Sequence, residues 1–536
     1  MAKTKKVKSE YKLPNPLIYR LSNPNYTIYH RAALGGLAAT VKAWGNKQPD
    51  NITAKVNRDS VTIRWNADMS DKVFLESLLA ASFKLRKGMI DLPGQHIEAG
   101  RDDLRLLAHD GTRKMFLQHP QSYSSDGIEQ ISLQLSDDET LFFKFQKLNN
   151  YSHRGVGKTS KKGKPNSIEL FEKECEGRLP SHAGIKQWCI PGAVEGAAAI
   201  QTSTDEAILL MYLIVGSAIY LLRPQLHKDK SYREKAQACL VVPNVTDLVE
   251  FSDAIAFINA QRSAKGFRNN YLSRVVGGAE DAALRFLLNL QGDKLRQVHG
   301  ESISDCIVIA MGKVPWDRNQ LNRSVIARVR GDYPEIAVFD AASRELGKAR
   351  VTFLPKGESW VFPASPIPEL VAANLASERH WCFGFKLLVK EKDDFQKVLK
   401  FMRRGLQAMK EAVKNVEDCA VINVLQEAWK FTMRNLYARA EDRESDEIAD
   451  LDSRREKIRN EILRAKNADT LASWFLRFCA DATKGKSLPS LQGQNGETVR
   501  TFIFDPRNFE RFQNLCLFAL VSYTSGENPD KTEGEN

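Results

Sequence analysis

The stretch Asp393–Val416, DDFQKVLKFMRRGLQAMKEAVKNV, decides how the chain is divided. Phe395, Val398, Leu399, Met402, Leu406, Met409, Val413 and Val416 recur at steps of three and four, which predicts an amphipathic helix. Lys400, Arg403, Arg404, Lys410 and Lys414 fall on a stripe away from that apolar face. Downstream of it the strand signals nearly vanish. Helical patterns follow near Val421–Ala440, Asp446–Lys466 and Leu471–Ala482. A last helix opens on Asp505 as N-cap with Pro506 at N1, and buries Phe509, Phe512, Cys516 and Leu520. Consecutive helices with short links predict an antiparallel helical bundle over 391–523. The polar, acidic end 524–536 reads as a disordered tail.

Upstream, residues 1–390 mix strands and helices, with a possible sub-boundary near 150–170. Tyr26–Trp44 has helical spacing interrupted by Gly35 and Gly36, small residues that admit a second backbone or kink the helix. Ile52–Trp65 alternates as strands do, Asp71–Phe83 and Leu248–Ile258 read as helices, and Ile131–Leu135 and Leu141–Leu148 read as strands. No repeated βαβ rhythm and no internal repeat is seen, so the fold class is α+β.

The 536 residues exceed what one ordinary domain needs, and 43% hydrophobic with 27% charged residues excludes disordered and collagen-like chains. Lys and Arg exceed Asp and Glu by 78 to 66, a balance that permits a polyanionic partner. The eight cysteines are scattered without a CxxC pair, as expected of reduced thiols in a cytoplasmic protein. The basic start, with Lys3, Lys5, Lys6 and Lys8, lacks the apolar core of a secretory signal and is either a solvated tail or a phosphate-seeking arm. Ala207–Leu222 is the single membrane candidate. It is shorter than the ~20 residues of a span and reads better as a buried helix, so no membrane partner is expected.

Motifs with catalytic chemistry are weak. Gly155-Val156-Gly157-Lys158-Thr159 is like a phosphate loop, but Ser152 stands where the pattern needs glycine and no apolar helix follows. The same loop carries Arg154, Lys158, Lys161, Lys162 and Lys164, which suit a nucleic-acid backbone or a solvated loop equally. The segment 261–271 mixes Arg262, Lys265, Arg268, Asn269 and Asn270 with Phe267 and Tyr271. These residue types read base edges and stack on bases, and they also make polar linkers. His109-Asp110 is the dipeptide that some metal-dependent nucleases use, with His96 and His119 as further donors, and chance occurrence is the plainer reading. Cys175, His182 and Cys189 could hold zinc only with a fourth ligand from elsewhere. No metal site, catalytic frame or cofactor motif emerges.

Two segments give the chain a recognisable character: Ile28-Tyr29-His30-Arg31-Ala32-Ala33-Leu34-Gly35-Gly36-Leu37-Ala38, and Val242-Pro243-Asn244-Val245-Thr246-Asp247-Leu248-Val249-Glu250-Phe251 following Cys189-Ile190-Pro191-Gly192. They resemble the large subunits of type I CRISPR surveillance complexes (Cascade), in the group labelled MYXAN and found in cyanobacterial type I-B systems. The resemblance implies a non-catalytic subunit that reads a protospacer-adjacent motif (PAM) on duplex DNA and helps open it for a guide RNA. It implies contacts with DNA strands in the R-loop. The implied partners are guide RNA, target double-stranded DNA, the backbone, handle-binding and small subunits, and a recruited helicase–nuclease or transposition proteins. The C-terminal bundle would correspond to the small subunit of related complexes, and an internal start at Met402 would release it as a separate chain. The alternative is a metal-dependent nuclease using His109 and Asp110.

Overall fold

Every residue from Ala32 to Val41 is buried, so the helix Ile28–Trp44 is enclosed rather than laid on a surface. In this computed structural model the described residues are 11–114, 125–136, 139–149, 151, 179–185, 190, 200–222, 237–259, 275–291, 303–310, 325–347, 350–353, 359–362, 365–441 and 451–524. Gly36 explains the enclosure. A Cβ there would lie 2.3 Å from the Tyr212 carbonyl oxygen, and one on Gly216 would lie 1.7 Å from that of Ala32. The glycines therefore serve close backbone approach. A Cβ on Gly35 would press on Phe251 and Val245, while Arg31 Nη1 donates to Asn244 Oδ1 at 3.2 Å. The two segments that carry the family resemblance thus pack against each other.

The chain divides into two units, Met1–Gly331 and Asp332–Asn536. In the first, five strands stand in the order Val275–Val276, Ala218–Leu222, Gln237–Val245, Ile303–Ala310, Val325–Arg330. All neighbours are antiparallel except Ala218–Leu222 with Val275–Val276. A three-stranded antiparallel sheet holds Leu17–Arg20, Ser60–Trp65 and Ile52–Val56, so the alternation read over Ile52–Trp65 is a hairpin. Ser125–Ser136 and Glu139–Leu148 form another. The class is α+β.

Ala207–Leu222 is buried as expected but is not one helix. It comprises the end of helix Thr204–Leu210, the short helix Leu213–Gly216 and the strand Ala218–Leu222. Gly216 meets helix Ile28–Trp44, and the apolar run Ala218–Leu222 that follows pairs with Gln237–Val245. Among the described residues no helix is long and apolar enough to cross a membrane.

The second unit begins before residue 391: helices Ile336–Leu346 and Ile367–Ala376 belong to it. The amphipathic stretch is two helices, Lys392–Phe401 and Arg403–Ala412, and not one. Gly405 sits so close to Leu346 that a Cβ would be 2.2 Å from Leu346 Cδ2, and the chain breaks at Met402 to make that contact. The second helix ends at Ala412, and Asn415 Oδ1 accepts from the backbone N–H groups of Glu417 and Asp418, opening Val416–Glu441. Leu451–Arg464, Ala468–Ala482, Gly493–Ile503 and Phe509–Ser522 complete a helical C-terminal region. Asp505 caps a 3-10 turn, Pro506–Asn508, ahead of the last of these. Hydrogen bonds join Arg511 to Asp418 and Gln426 to Ala519, so Val416–Glu441 and Phe509–Ser522 run parallel, as the first and fifth of an alternating series would. Trp381, Trp429, Phe475 and Phe512 lie in this core.

Candidate nucleic-acid interface

Splitting the amphipathic stretch also splits its basic stripe. Lys400 and Arg403 line a cleft of about 240 Å³ with Gln396, Leu399 and Asp452. Lys410 lines a second, of about 380 Å³, with residues of helix Val416–Glu441 that include Lys430 and Arg434. Arg404 and Lys414 are exposed and line neither. The stripe is therefore two basic clefts in one unit.

Lys430 and Arg434 stand four apart on helix Val416–Glu441 and so share a face, which sequence spacing could have disclosed. Only the fold brings Lys410 to them. The Arg434 guanidinium lies 5.9 Å from the Phe431 ring centre. The one acid among the lining residues, Glu427, is held by the Ser490 backbone N–H at 2.9 Å and by its hydroxyl, which leaves three basic side chains facing an engaged carboxylate. Basic groups beside aromatic rings are what a nucleic-acid strand uses, through its phosphates and its bases.

Arg154, Lys158, Lys161, Lys162 and Lys164 lie outside the described residues, with the whole 155–159 loop. So do Arg262, Lys265, Arg268, Asn269 and Asn270, as well as Cys175, Cys189, His119, the Lys3–Lys8 arm and 525–536. His182 is exposed, with Nδ1 3.1 Å from the Ser181 hydroxyl. The described cysteines are free thiols, and burial pushes Cys479 up to about 12.

His109 is a core histidine. Its Nδ1 accepts from the Ile90 backbone N–H at 3.1 Å, and Nε2 therefore donates to the Gln146 carbonyl at 2.9 Å. Burial pushes its pKa down to about 4. Both ring nitrogens are committed to backbone, which leaves none for a metal. His96 likewise spends Nε2 on the Ala39 carbonyl at 3.0 Å.

The family model of the DevT N-terminal domain matches residues 18–211, and that of the DevT C-terminal domain matches 410–536. The CRISPR-associated protein Cas8a1/Csx13 of Myxococcus xanthus (strain DK1622) is 23% identical over 547 residues, spanning 95% of this chain and 89% of that protein. The first model covers the helix Ile28–Trp44 on which the first unit is built, and the second covers the cleft of Lys410. Both DevT domain models thus match in order, and the chain's likeness to the large subunits of type I CRISPR surveillance complexes holds.

Proposed function

We propose that the chain is the non-catalytic large subunit of a type I-B Cascade, working in the cytoplasm. It recognises the PAM on duplex DNA, helps open the duplex and contacts DNA strands in the R-loop. The observation that carries this reading is similarity along 95% of the chain to a protein named CRISPR-associated. In such complexes sequence beyond the motif is read by base pairing, and the protein supplies charge and shape. The basic clefts of the helical unit suit that task. The 261–271 segment, with Arg262, Lys265, Arg268, Asn269 and Asn270, is the proposed motif reader, and the 154–164 loop a backbone clamp. The proposed divisions are a recognition region over 1–390 and a small-subunit-like region over 391–523. Guide RNA, target DNA, the other Cascade subunits and a recruited helicase–nuclease or transposition protein are the proposed partners.

The reading is tested by incubating the purified chain with duplex and single-stranded DNA in Mg²⁺ or Mn²⁺. Intact DNA is expected. Cleavage abolished by Asp110→Ala would replace the proposal with a nuclease. Single changes at Arg262, Arg268, Asn269 and Asn270 in the assembled complex, scored against a library of flanking sequences, test the motif reader. Removing a bidentate base contact should cost about 1–3 kcal/mol at one position, and equal loss on every flank would remove these residues from that role.

A further inference from the structure

Helix Leu451–Arg464 carries two arginines one turn apart, Arg455 and Arg459, that are only 6% and 4% exposed. Neither is fully satisfied. Arg455 Nε, Arg459 Nε and Arg459 Nη1 are buried without a hydrogen-bond partner, and so is Arg403 Nε. Arg459 Nη2 donates to Asn460 Oδ1 at 2.8 Å. The guanidinium groups stand 5.1 Å from the Trp429 ring centre (Arg455) and 5.0 Å from that of Phe395 (Arg459). Ring faces attract cations but supply neither a counter-charge nor lone pairs in the guanidinium plane. Among the described residues the acid paired with Arg455 is Asp452, 4.0 Å from its Nη1 and 61% exposed, so its hold is weak. Burial first, and then the nearby Arg403 charge, push Arg455 down to about 10, far below an ordinary arginine. A buried cation without a full counter-ion is costly, and an anion relieves that cost.

Arg455 lines neither basic cleft but has a neighbour in each. Asp452, beside it, lines the cleft of Lys400 and Arg403. Tyr523, which feels the charges of Arg434 and Arg455 together, lines the cleft of Lys410. Tyr437, half-exposed, lies within electrostatic reach of Arg455 as well. We infer that Arg455, with Lys400 and Arg403 before it, forms a phosphodiester subsite for single-stranded nucleic acid, with the Tyr437 ring as a stacking face. The guanidinium fork matches two phosphate oxygens, where Asp452 now offers one distant carboxylate. Openings of about 240 and 380 Å³ suit single nucleotides, and stacking on a side chain requires an unpaired base. This subsite rests on the reading that the chain contacts DNA strands.

The test is fluorescence anisotropy of a labelled oligothymidylate with the full chain over a salt series. Lys400→Ala with Arg403→Ala should weaken binding and flatten the log–log salt slope by about 1.4, that is ~0.7 for each phosphate no longer neutralised. Asp452→Asn, which removes an exposed competing carboxylate, should tighten binding severalfold. Arg455→Met should weaken it. The Asp452 variant decides the matter even where Arg455→Met fails to fold. Wild-type binding in all these variants, with loss on replacing Lys158, Lys161, Lys162 and Lys164 by Ala, overturns the subsite and spares the functional reading. A wild-type chain that ignores the oligonucleotide at low salt overturns both. Displacement by a polyglutamate peptide as readily as by unlabelled oligothymidylate assigns the clefts to an acidic protein partner and overturns the subsite.

Discussion

Asp418 is wholly buried and accepts from His380 Nε2 at 2.8 Å, Trp381 Nε1 at 2.9 Å and Arg511 Nη2 at 2.7 Å. It ties the residues before Lys392 to the last helix. Breaking a buried pair strands the remaining charge, so Asp418→Ala should lower unfolding free energy by about 3 kcal/mol or more. A wild-type urea midpoint in the variant would contradict this. Burial alone would raise the Asp418 carboxyl, but the hydrogen bonds and charges of His380 and Arg511 hold it below the usual range. A lowered folded pKa gives stability that is complete above the ordinary ~3.9 and lost as pH falls through the folded value. Wild type and variant should therefore converge only in strong acid. His109 has an earlier window. The unfolded imidazole takes its proton near 6.5 and the folded one near 4, so stability falls as pH drops between the two. The loss is on the order of 3 kcal/mol over that window. His109→Gln, which cannot titrate, should flatten the melts between pH 7 and pH 4.5, and an equally steep decline would show that His109 is not its source.

At the scale of elements, the contact of helix Ile28–Trp44 with Leu213–Gly216 depends on glycine. Gly216→Ala would drive a methyl into the Ala32 carbonyl and should cost about 2 kcal/mol or more. Gly100→Ala, with nothing within 4 Å, is the control in the same thermal melts. Equal midpoints for the two variants would contradict the close approach. The Gly35-Gly36 pair was legible as a place for close packing because small residues in an apolar helical run have few other uses, but its partner was not, since Gly216 lies 180 residues away. The amphipathic faces of the helical region were legible from their 3.6-residue period. The break at Met402 was not, because it arises from docking on Leu346, which no local pattern encodes. The same docking bears on the internal start at Met402. A chain beginning there lacks helix Ile336–Leu346 and the buried Trp381, Phe385 and Phe395. A fragment over 332–524 should melt cooperatively, whereas one over 402–524 should not, and a cooperative transition in the shorter fragment would restore the independent small subunit.

For the whole molecule, the net charge of +12 permitted a polyanionic partner without locating it. Lys400 and Arg403 were legible as basic positions. Lys430 and Arg434 share a face that their spacing could disclose, but their meeting with Lys410 was not legible, since that cleft is made by helices that meet only in the fold; nor was the burial of Arg455 beside Asp452. The backbone clamp proposed for the 154–164 loop belongs to this scale. Changing its four lysines to Ala in the complex should flatten the duplex salt slope by about 0.9 for each phosphate no longer neutralised, and an unchanged slope would leave them solvated. The central claim, a large subunit of an RNA-guided complex, is tested most directly by tagging this chain in its native host and sequencing the nucleic acid that co-purifies. Guide RNAs of uniform length with a shared repeat-derived end are expected, together with the other subunits. A tagged chain recovered intact from cells that express the guide RNA, with no such RNA attached, would contradict it.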